Sequence, residues 1–519
     1  MPARPGDHTV RAKLLMKVPP NLRSKLTHLE WPSSTTHGGY KMLRSATFRL
    51  AQGNRTLLVS LLSIVALFCL AVCRAAAQSA VPSGPPPKID SGDTVWMLIS
   101  AALVLLMTPG LALFYAGMVR SKNVMSVLMQ SFVACGLITL QWVLFGYSLA
   151  FGPDHHGLIG DFSWIGLNGV SESKANLDYA PTVPHQVFCM FQLMFAIITP
   201  ALISGAIVER MKFGAYLLFI FLWATFVYDP LAHWVWGSGG WLHNTAGHRG
   251  VLDFAGGTVV EMASGFSALV LALLLGRRKK SNGGEELRPH NLPLTMTGVA
   301  LLWFGWFGFN AGSADNSGQV AVASYTATHI AGAAAAMTWL LLDWLVYRKP
   351  TALGFASGAV AGLVTITPAC GFVSPMAAML CGILSASVCF FAIRWKNLVK
   401  ADDALDVFGV HGIGGLVGLI LVGLLATTAV NPLPPVGSGA NGLLYSHGDA
   451  TQLLLQLKAI GATMLLTVMG TAIVVFVVKL VCGGLRASDE DEDMGLDVTD
   501  HGEIGYSGDT VGIPELTGV

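Results

Sequence analysis

The chain has 519 residues, of which 53% are hydrophobic and 12% charged, with a mean hydropathy of +0.60. Soluble proteins carry about twice that share of charge, so the composition excludes a soluble globular protein and specifies one whose surface meets lipid. The formal net charge of +1 leaves no basic excess with which to hold nucleic acid.

Residues 1–54 are polar and basic, without helical periodicity. Residues 55–77 combine a basic flank at Arg55, an apolar core ending at Cys73 and a small-residue exit, Arg74-Ala-Ala-Ala77. That order reads as a secretory signal peptide cleaved near Ala77. Signals begin close to their start codon, so Met42 is an alternative initiator, with residues 1–41 a mis-called extension. A retained extra helix is the competing reading. Residues 78–91, Pro-rich from Val81 to Lys88, form a linker.

From 92 to 484 the pattern is that of a membrane domain. Apolar runs of about 20 residues, each enough to span a bilayer, lie near 94–119, 124–151, 186–208, 214–237, 254–275, 294–313, 319–346, 352–370, 375–394, 406–428 and 452–482. The expected fold is therefore all-α and polytopic, with eleven transmembrane helices. Arg120 and Lys122, Arg210 and Lys212, Arg277 to Lys280 with Arg288, Arg348 and Lys349, and Arg394, Lys396 and Lys400 fall in alternate loops, whereas the other loops offer only Lys174 and Arg249. Positive charge marks the cytoplasmic side, so the mature N-terminus is expected outside and the tail, residues 485–519, inside.

Two pairs of motifs recur five spans apart. Phe114-Tyr-Ala-Gly117 in the first span matches Phe309-Asn-Ala-Gly312 in the sixth. Asp253 to Glu261 in the fifth has the same eight-residue spacing as Asp403 to His411 in the tenth. An odd offset inverts direction, so the layout predicts two inverted five-helix repeats, with the eleventh helix left over at the periphery and a site at the repeat interface.

Glu261 and His411 are ionisable groups carried into helices that otherwise suit hydrocarbon, and such groups are costly enough to imply function. Eight positions span about 12 Å of helix, so each acid lies near the same face as the inner group. The bland alternative is a pair of polar residues that hold helices together; its appearance in two matched segments favours two titratable groups facing each other across a pore. The ends of the fourth, sixth and third spans bring Tyr228, Trp236, Phe309, Ser313, Phe188, Phe191 and Phe195 to the same face. Aromatic faces bind small cations, although rings also form the ordinary interfacial belt. Potassium or sodium would want rings of oxygens. Ammonium fits better, because losing a proton leaves a small neutral molecule.

The eight cysteines stand singly, mostly inside apolar runs such as those of Cys135, Cys189, Cys381, Cys389 and Cys482. Neither a metal site nor a disulfide framework is expected.

Thr108-Pro-Gly-Leu-Ala-Leu-Phe-Tyr-Ala-Gly117, Asp253-Phe-Ala-Gly-Gly-Thr-Val-Val260, Pro289-His-Asn-Leu-Pro293, Gly305-Trp-Phe-Gly-Phe-Asn-Ala-Gly-Ser313, Thr367-Pro-Ala-Cys-Gly371 and Asp406-Val-Phe-Gly-Val-His-Gly412 carry a resemblance over residues 92–506. The chain resembles the ammonium transporters of the Amt/MEP/Rh superfamily, in the bacterial Amt branch. The resemblance implies a homotrimer in the inner membrane with one pore per subunit and no cofactor. It implies an outer ammonium site at Trp236, Ser313 and Phe191, a gate of Phe195 and Phe309, and a pore pair of Glu261 and His411. Asp253 would act electrostatically and hold the start of its helix without touching substrate, with Asp406 in a similar supporting role. Glu261 departs from the pattern, since most bacterial relatives have His there; in this it resembles some fungal members. The tail from Gly495 to Tyr506 resembles one that packs under neighbouring subunits, on a cytoplasmic face that docks PII signalling proteins.

An ammonium sensor is the main rival function, but about 35 residues after the last span are too few for a signalling domain. A neutral gas channel is the second rival, disfavoured by Trp236 and Ser313. An enzyme is not expected: no phosphate-binding loop or nucleophile with a placed base is present.

Overall fold

The computed structural model describes residues 88–244, 248–279, 289–395, 401–432 and 441–506; the signal peptide, the basic extension and most of the linker lie outside them, as do Lys280, Arg288, Lys396 and Lys400. Eleven helices follow the predicted spans. They are α1 Ser91–Met118, α2 Ser121–Phe151, α3 His185–Ala206, α4 Phe213–Trp236, α5 Gly257–Leu275, α6 Leu292–Gly312, α7 Gln319–Tyr347, α8 Ala352–Ile366, α9 Pro375–Arg394, α10 Phe408–Leu425 and α11 Thr451–Val481. Ten are long and apolar enough to cross a membrane. The other, α8, has 15 residues and gives way to turns at Thr367 and Pro368, where a proline removes a backbone donor. The predicted span there was longer because its apolar run continues through those turns. Between α2 and α3, two short hairpins form, pairing Asp154 with Gly160 and Ala175 with Pro184.

The repeat is built on glycine contacts. Gly117 closes on Thr295 and Gly312 closes on Ser100. As the chain rises through α1 it descends through α6, so the two helices cross antiparallel. The same exchange relates α5 and α10: a side chain on Gly265 would overlap the backbone of Gly412, and one on Gly415 would lie 2.8 Å from Glu261 Cβ. Without side chains the backbones approach closely, and small residues permit that in lipid, where dispersion replaces hydrophobic driving force.

Each of these crossing helices starts with a wide π-helical turn, Gly257–Met262 in α5 and Phe408–Gly412 in α10. Glu261 N–H bonds back to the carbonyl of Gly256 at 2.9 Å. Such turns are frequent at functional sites, and these two carry the ionisable groups. The eleventh helix packs on α4 and α5: Trp223 Nε1 donates to Ser267 and Thr471, whose hydroxyls lie 2.8 Å apart.

On the face opposite the hairpins the tail lies against loops of its own chain. Its short helices are α12 Asp489–Met494 and α13 Leu496–His501. Lys122 donates to the carbonyls of Glu492 and Asp493, Asn123 accepts from Leu496 N–H, and Asp497 accepts from Ser126 N–H. Arg486 pairs with Glu492. Nearby, Arg278 bridges Asp402 at 2.9 Å and Glu209 at 3.5 Å, and Glu209 also holds Arg120. Burial raises both carboxyls, but the arginines outweigh it: Glu209 ends below its ordinary value and Asp402 is held down at about 2.

Candidate functional site

On the hairpin face a vestibule of about 750 Å³ opens between α1, α3, α4, α6 and the α4–α5 loop, lined by Trp236, Ser313, Phe195, Gln192 and Asp253 among others. Trp236 stands edge-on to Phe195, with centroids 5.9 Å apart. Its ring N–H is committed to the carbonyl of Asp253 at 3.0 Å, so what it offers a solute is its π face. Ser313 donates its hydroxyl to the carbonyl of Phe309 at 2.8 Å, which leaves the oxygen's lone pairs as acceptors.

Phe191 is placed differently from Trp236 and Ser313. It is fully buried, packs edge-on to Phe195 at 5.0 Å, and lies against Gly312. The vestibule lining takes Phe188 and Gln192 from the same helix instead. Phe191 therefore backs the wall, a consequence of helical pitch that spacing alone does not resolve.

Phe195 lines the vestibule and Phe309 the cavity beneath it. Their rings stack at 4.3 Å with 30° between planes, close enough to exclude water. Both are buried.

Below them lies an apolar cavity measuring about 10 Å³ for the centre of a water-sized molecule, roughly what one such molecule requires. Its walls include Leu111, Phe114, Ile198, Leu302 and Val360, and its two ionisable members are Glu261 and His411. His411 Nδ1 lies 2.6 Å from Glu261 Oε2, with both residues under 5% exposed. That distance is a short hydrogen bond joining the two side chains, its donor set by which partner holds the proton. The neighbouring polar groups are turned away: Tyr115 donates to the carbonyl of Leu202 and Trp306 to Thr367.

His411, Phe114 and Val360 also border a second cavity, of about 50 Å³, lined by Tyr115, Ser357 and Asp406 toward the tail face. Vestibule, stacked pair and two cavities thus form one series, with the acid–imidazole pair in the middle.

Two aspartates set the backbone of the pair. Asp253 accepts from the N–H groups of Gly256, Gly257 and Thr258 and from the Thr258 hydroxyl. Its carboxylate oxygens are therefore engaged by the start of α5. Negative charge is favoured at such exposed helix-start N–H groups. In α10 the corresponding bonds go to Asp403, which accepts from Val407 at 3.1 Å and Phe408 at 2.8 Å. Asp406, the expected support, instead takes a left-handed backbone (φ 61°) and lines the lower cavity. The eight-residue spacing from Asp403 to His411 parallels that from Asp253 to Glu261.

A bundle of membrane-length helices enclosing apolar cavities one small molecule wide, beneath a stacked phenylalanine pair, fits a multi-pass membrane transporter. The family model described as Ammonium Transporter Family matches residues 95–506. The chain belongs to that family: it is an ammonium transporter and not an enzyme. It is 51% identical over 419 residues to the ammonium transporter of Bacillus subtilis (strain 168), a match covering 80% of this chain and 99% of that one. The ammonium transporter of Aquifex aeolicus (strain VF5) is 46% identical over 424 residues, covering 81% and 94%. The crystal structure of Saccharomyces cerevisiae Mep2 is similar with a TM-score of 0.74 at 34% identity, covering 84% of this chain and 98% of that one.

Proposed function

We propose that ammonium is recruited at the vestibule floor against Trp236 and Phe195, with Ser313 accepting a hydrogen bond, and is stripped of one proton before it passes the stacked phenylalanines. Ammonia then crosses the apolar cavities as a neutral molecule and regains a proton from water beyond Asp406. The proton released at the vestibule travels separately through Glu261 and His411. One nitrogen and one positive charge cross per cycle, so transport is electrogenic.

The observation that carries this reading is the 2.6 Å contact between Glu261 and His411 in a cavity otherwise walled by hydrocarbon. An intact cation would lose its hydration there with only the Glu261 carboxyl, already bonded to His411, to replace it, at a cost of several kcal/mol. Neutral ammonia loses far less, and a carboxylic acid beside an imidazole can pass a proton with only small movements of either group. Cation–π attraction of about 2 kcal/mol in a desolvated site concentrates the substrate above the gate. Asp253 adds negative potential while its own bonds hold α5 in place.

The loop charges support an orientation with the vestibule outside and the tail in the cytoplasm of a bacterial inner membrane, following a cleaved signal at residues 55–77. The resemblance supports a homotrimer, with PII docking at the tail face. Pulses of ammonium, methylammonium and potassium on protein in a solid-supported membrane test the transport reading. Currents are expected for the first two and none for potassium; a potassium current of equal size would overturn it. Pull-down of a PII protein at varied nucleotide and 2-oxoglutarate tests the partner.

A further inference from the structure

The vestibule is far larger than what its floor admits. It holds about 750 Å³, against about 10 Å³ for the cavity beneath the stacked phenylalanines, and ring-lined clefts of several hundred Å³ with a few polar groups suit organic ligands. Its charge is one-sided: Asp90, Asp93, Asp178, Asp253 and Asp315 line it, and among the described residues no lysine or arginine does. Asp253 is engaged by the start of α5, Asp93 by Thr182 and Ser317, and Asp90 by the N–H of Asp93. Asp178, by contrast, is exposed at the mouth, and one carboxylate oxygen of Asp315 is buried without a partner. Deeper in, Gln192 is only 9% exposed, and its amide oxygen also lacks a partner. Phe195, Gln192 and Phe188 succeed one another along one face of α3, about 10 Å from first to last. At the upper end Tyr179 stacks on Phe188 at 4.9 Å, with its hydroxyl engaged by the Phe151 carbonyl and the Ser238 N–H, so that it offers a ring face.

We propose that the vestibule is an inhibitory binding site for a linear aliphatic diammonium ion, which plugs it. One ammonium group lies at the floor against Trp236 and Phe195, where the oxygens of Ser313 and Gln192 accept its hydrogen bonds. The methylenes run over Phe188 and Tyr179, and the second ammonium group faces Asp178 at the mouth. Oxygens and ring faces at the floor, rings in the middle and a carboxylate at the mouth match two positive charges joined by hydrocarbon, whereas a single small cation uses one end alone. Ring faces attract each ammonium group, and the carboxylates of a low-dielectric cleft draw cations into it. Such an ion cannot follow ammonium inward. Losing one proton leaves its other end charged, and the rings of Phe195 and Phe309, stacked at 4.3 Å, close the way to a cavity sized for one small molecule. The inference rests on the reading of the floor as the ammonium site, since the diammonium ion acts by occupying it.

Calorimetry and solid-supported-membrane currents on the full chain, with 1,4-diaminobutane and butylamine as probes at neutral pH, test it. Diaminobutane should evoke no current of its own and should inhibit ammonium currents competitively. Wild type should bind it about fivefold more tightly than butylamine, the upper end for one ion pair at an exposed carboxylate. Asp178→Asn, a change at an exposed side chain that folding tolerates, should lose most of that preference, and Asp178→Glu should recover it. Magnesium chloride at matched ionic strength should inhibit far less than diaminobutane. Equal affinity for the two amines in wild type, an unchanged preference in Asp178→Asn, inhibition by magnesium to the same extent, or a current carried by diaminobutane would each overturn the proposal. Calorimetry reads binding without transport, so a missing ammonium current would count against the transport reading, and missing heat with diaminobutane against this one.

Discussion

The starts of α5 and α10 are one backbone design bearing two chemistries. Each has an aspartate holding amide groups at its start, a π turn, an ionisable side chain and a glycine four residues on that meets the other helix. The first carries a carboxyl and the second an imidazole. They also differ in mooring. Leu252, before Asp253, is held at both its N–H and carbonyl by the neutral Gln456 at 2.8 Å. Asp402, before Asp403, is held by the charges of Arg278 and, through its carbonyl, by Arg210. The scaffold therefore sets where a proton can sit, while the side chain and mooring set how that position responds to its surroundings.

The glycines break this comparison most severely. Gly265→Leu should abolish folded protein, because the side chain would overlap backbone of Gly412; Gly415→Leu should be nearly as damaging, whereas Gly136→Leu, with open space around it, should be neutral. Yield and monodispersity on gel filtration check all three. Next come the ionisable groups themselves. His411→Ala and Glu261→Gln should each lower ammonium-evoked current by about a hundredfold, in the range for a lost proton-transfer group, with melting changed far less than by the glycine variants. Glu261→His sharpens the point: it should retain current and shift the pH profile, since the scaffold accepts either donor.

The aspartates follow. Asp253→Asn disturbs four accepted bonds and should cost about 2–3 kcal/mol, and Asp403→Asn, which disturbs the bonds from Val407 and Phe408 N–H, should also lower stability; thermal melting measures both. The smallest effect is on pH. Asp402 is held at about 2, below its ordinary 3.8. The stability it contributes is complete above about pH 4 and disappears as pH falls through about 2. Melting between pH 5 and 2.5 should lose most of this increment in wild type and be flatter in Asp402→Asn.

Much of the fold was legible because membrane helices announce themselves by length and hydropathy, and eleven apolar runs became eleven helices. The positions of Trp236, Ser313, Phe195, Phe309, Glu261 and His411 along one path followed from motif order and resemblance. What sequence did not resolve depends on rotation and backbone detail of a turn or less. Phe191 and Phe195 are one turn apart, yet one lines the wall and the other stands behind it. Asp403 and Asp406 both precede His411, and only the folded turn shows that the first caps the helix while the second faces the lower cavity. The π turns have no composition of their own, and the tail's contacts with Lys122, Asn123 and Ser126 join residues more than 360 positions apart.

The claim that charge and nitrogen travel by separate routes is tested most directly by measuring charge and methylammonium uptake together in proteoliposomes. Wild type should move one charge per molecule, and the combined Glu261→Gln and His411→Ala variant should lose the current. Full current in that variant would contradict the account.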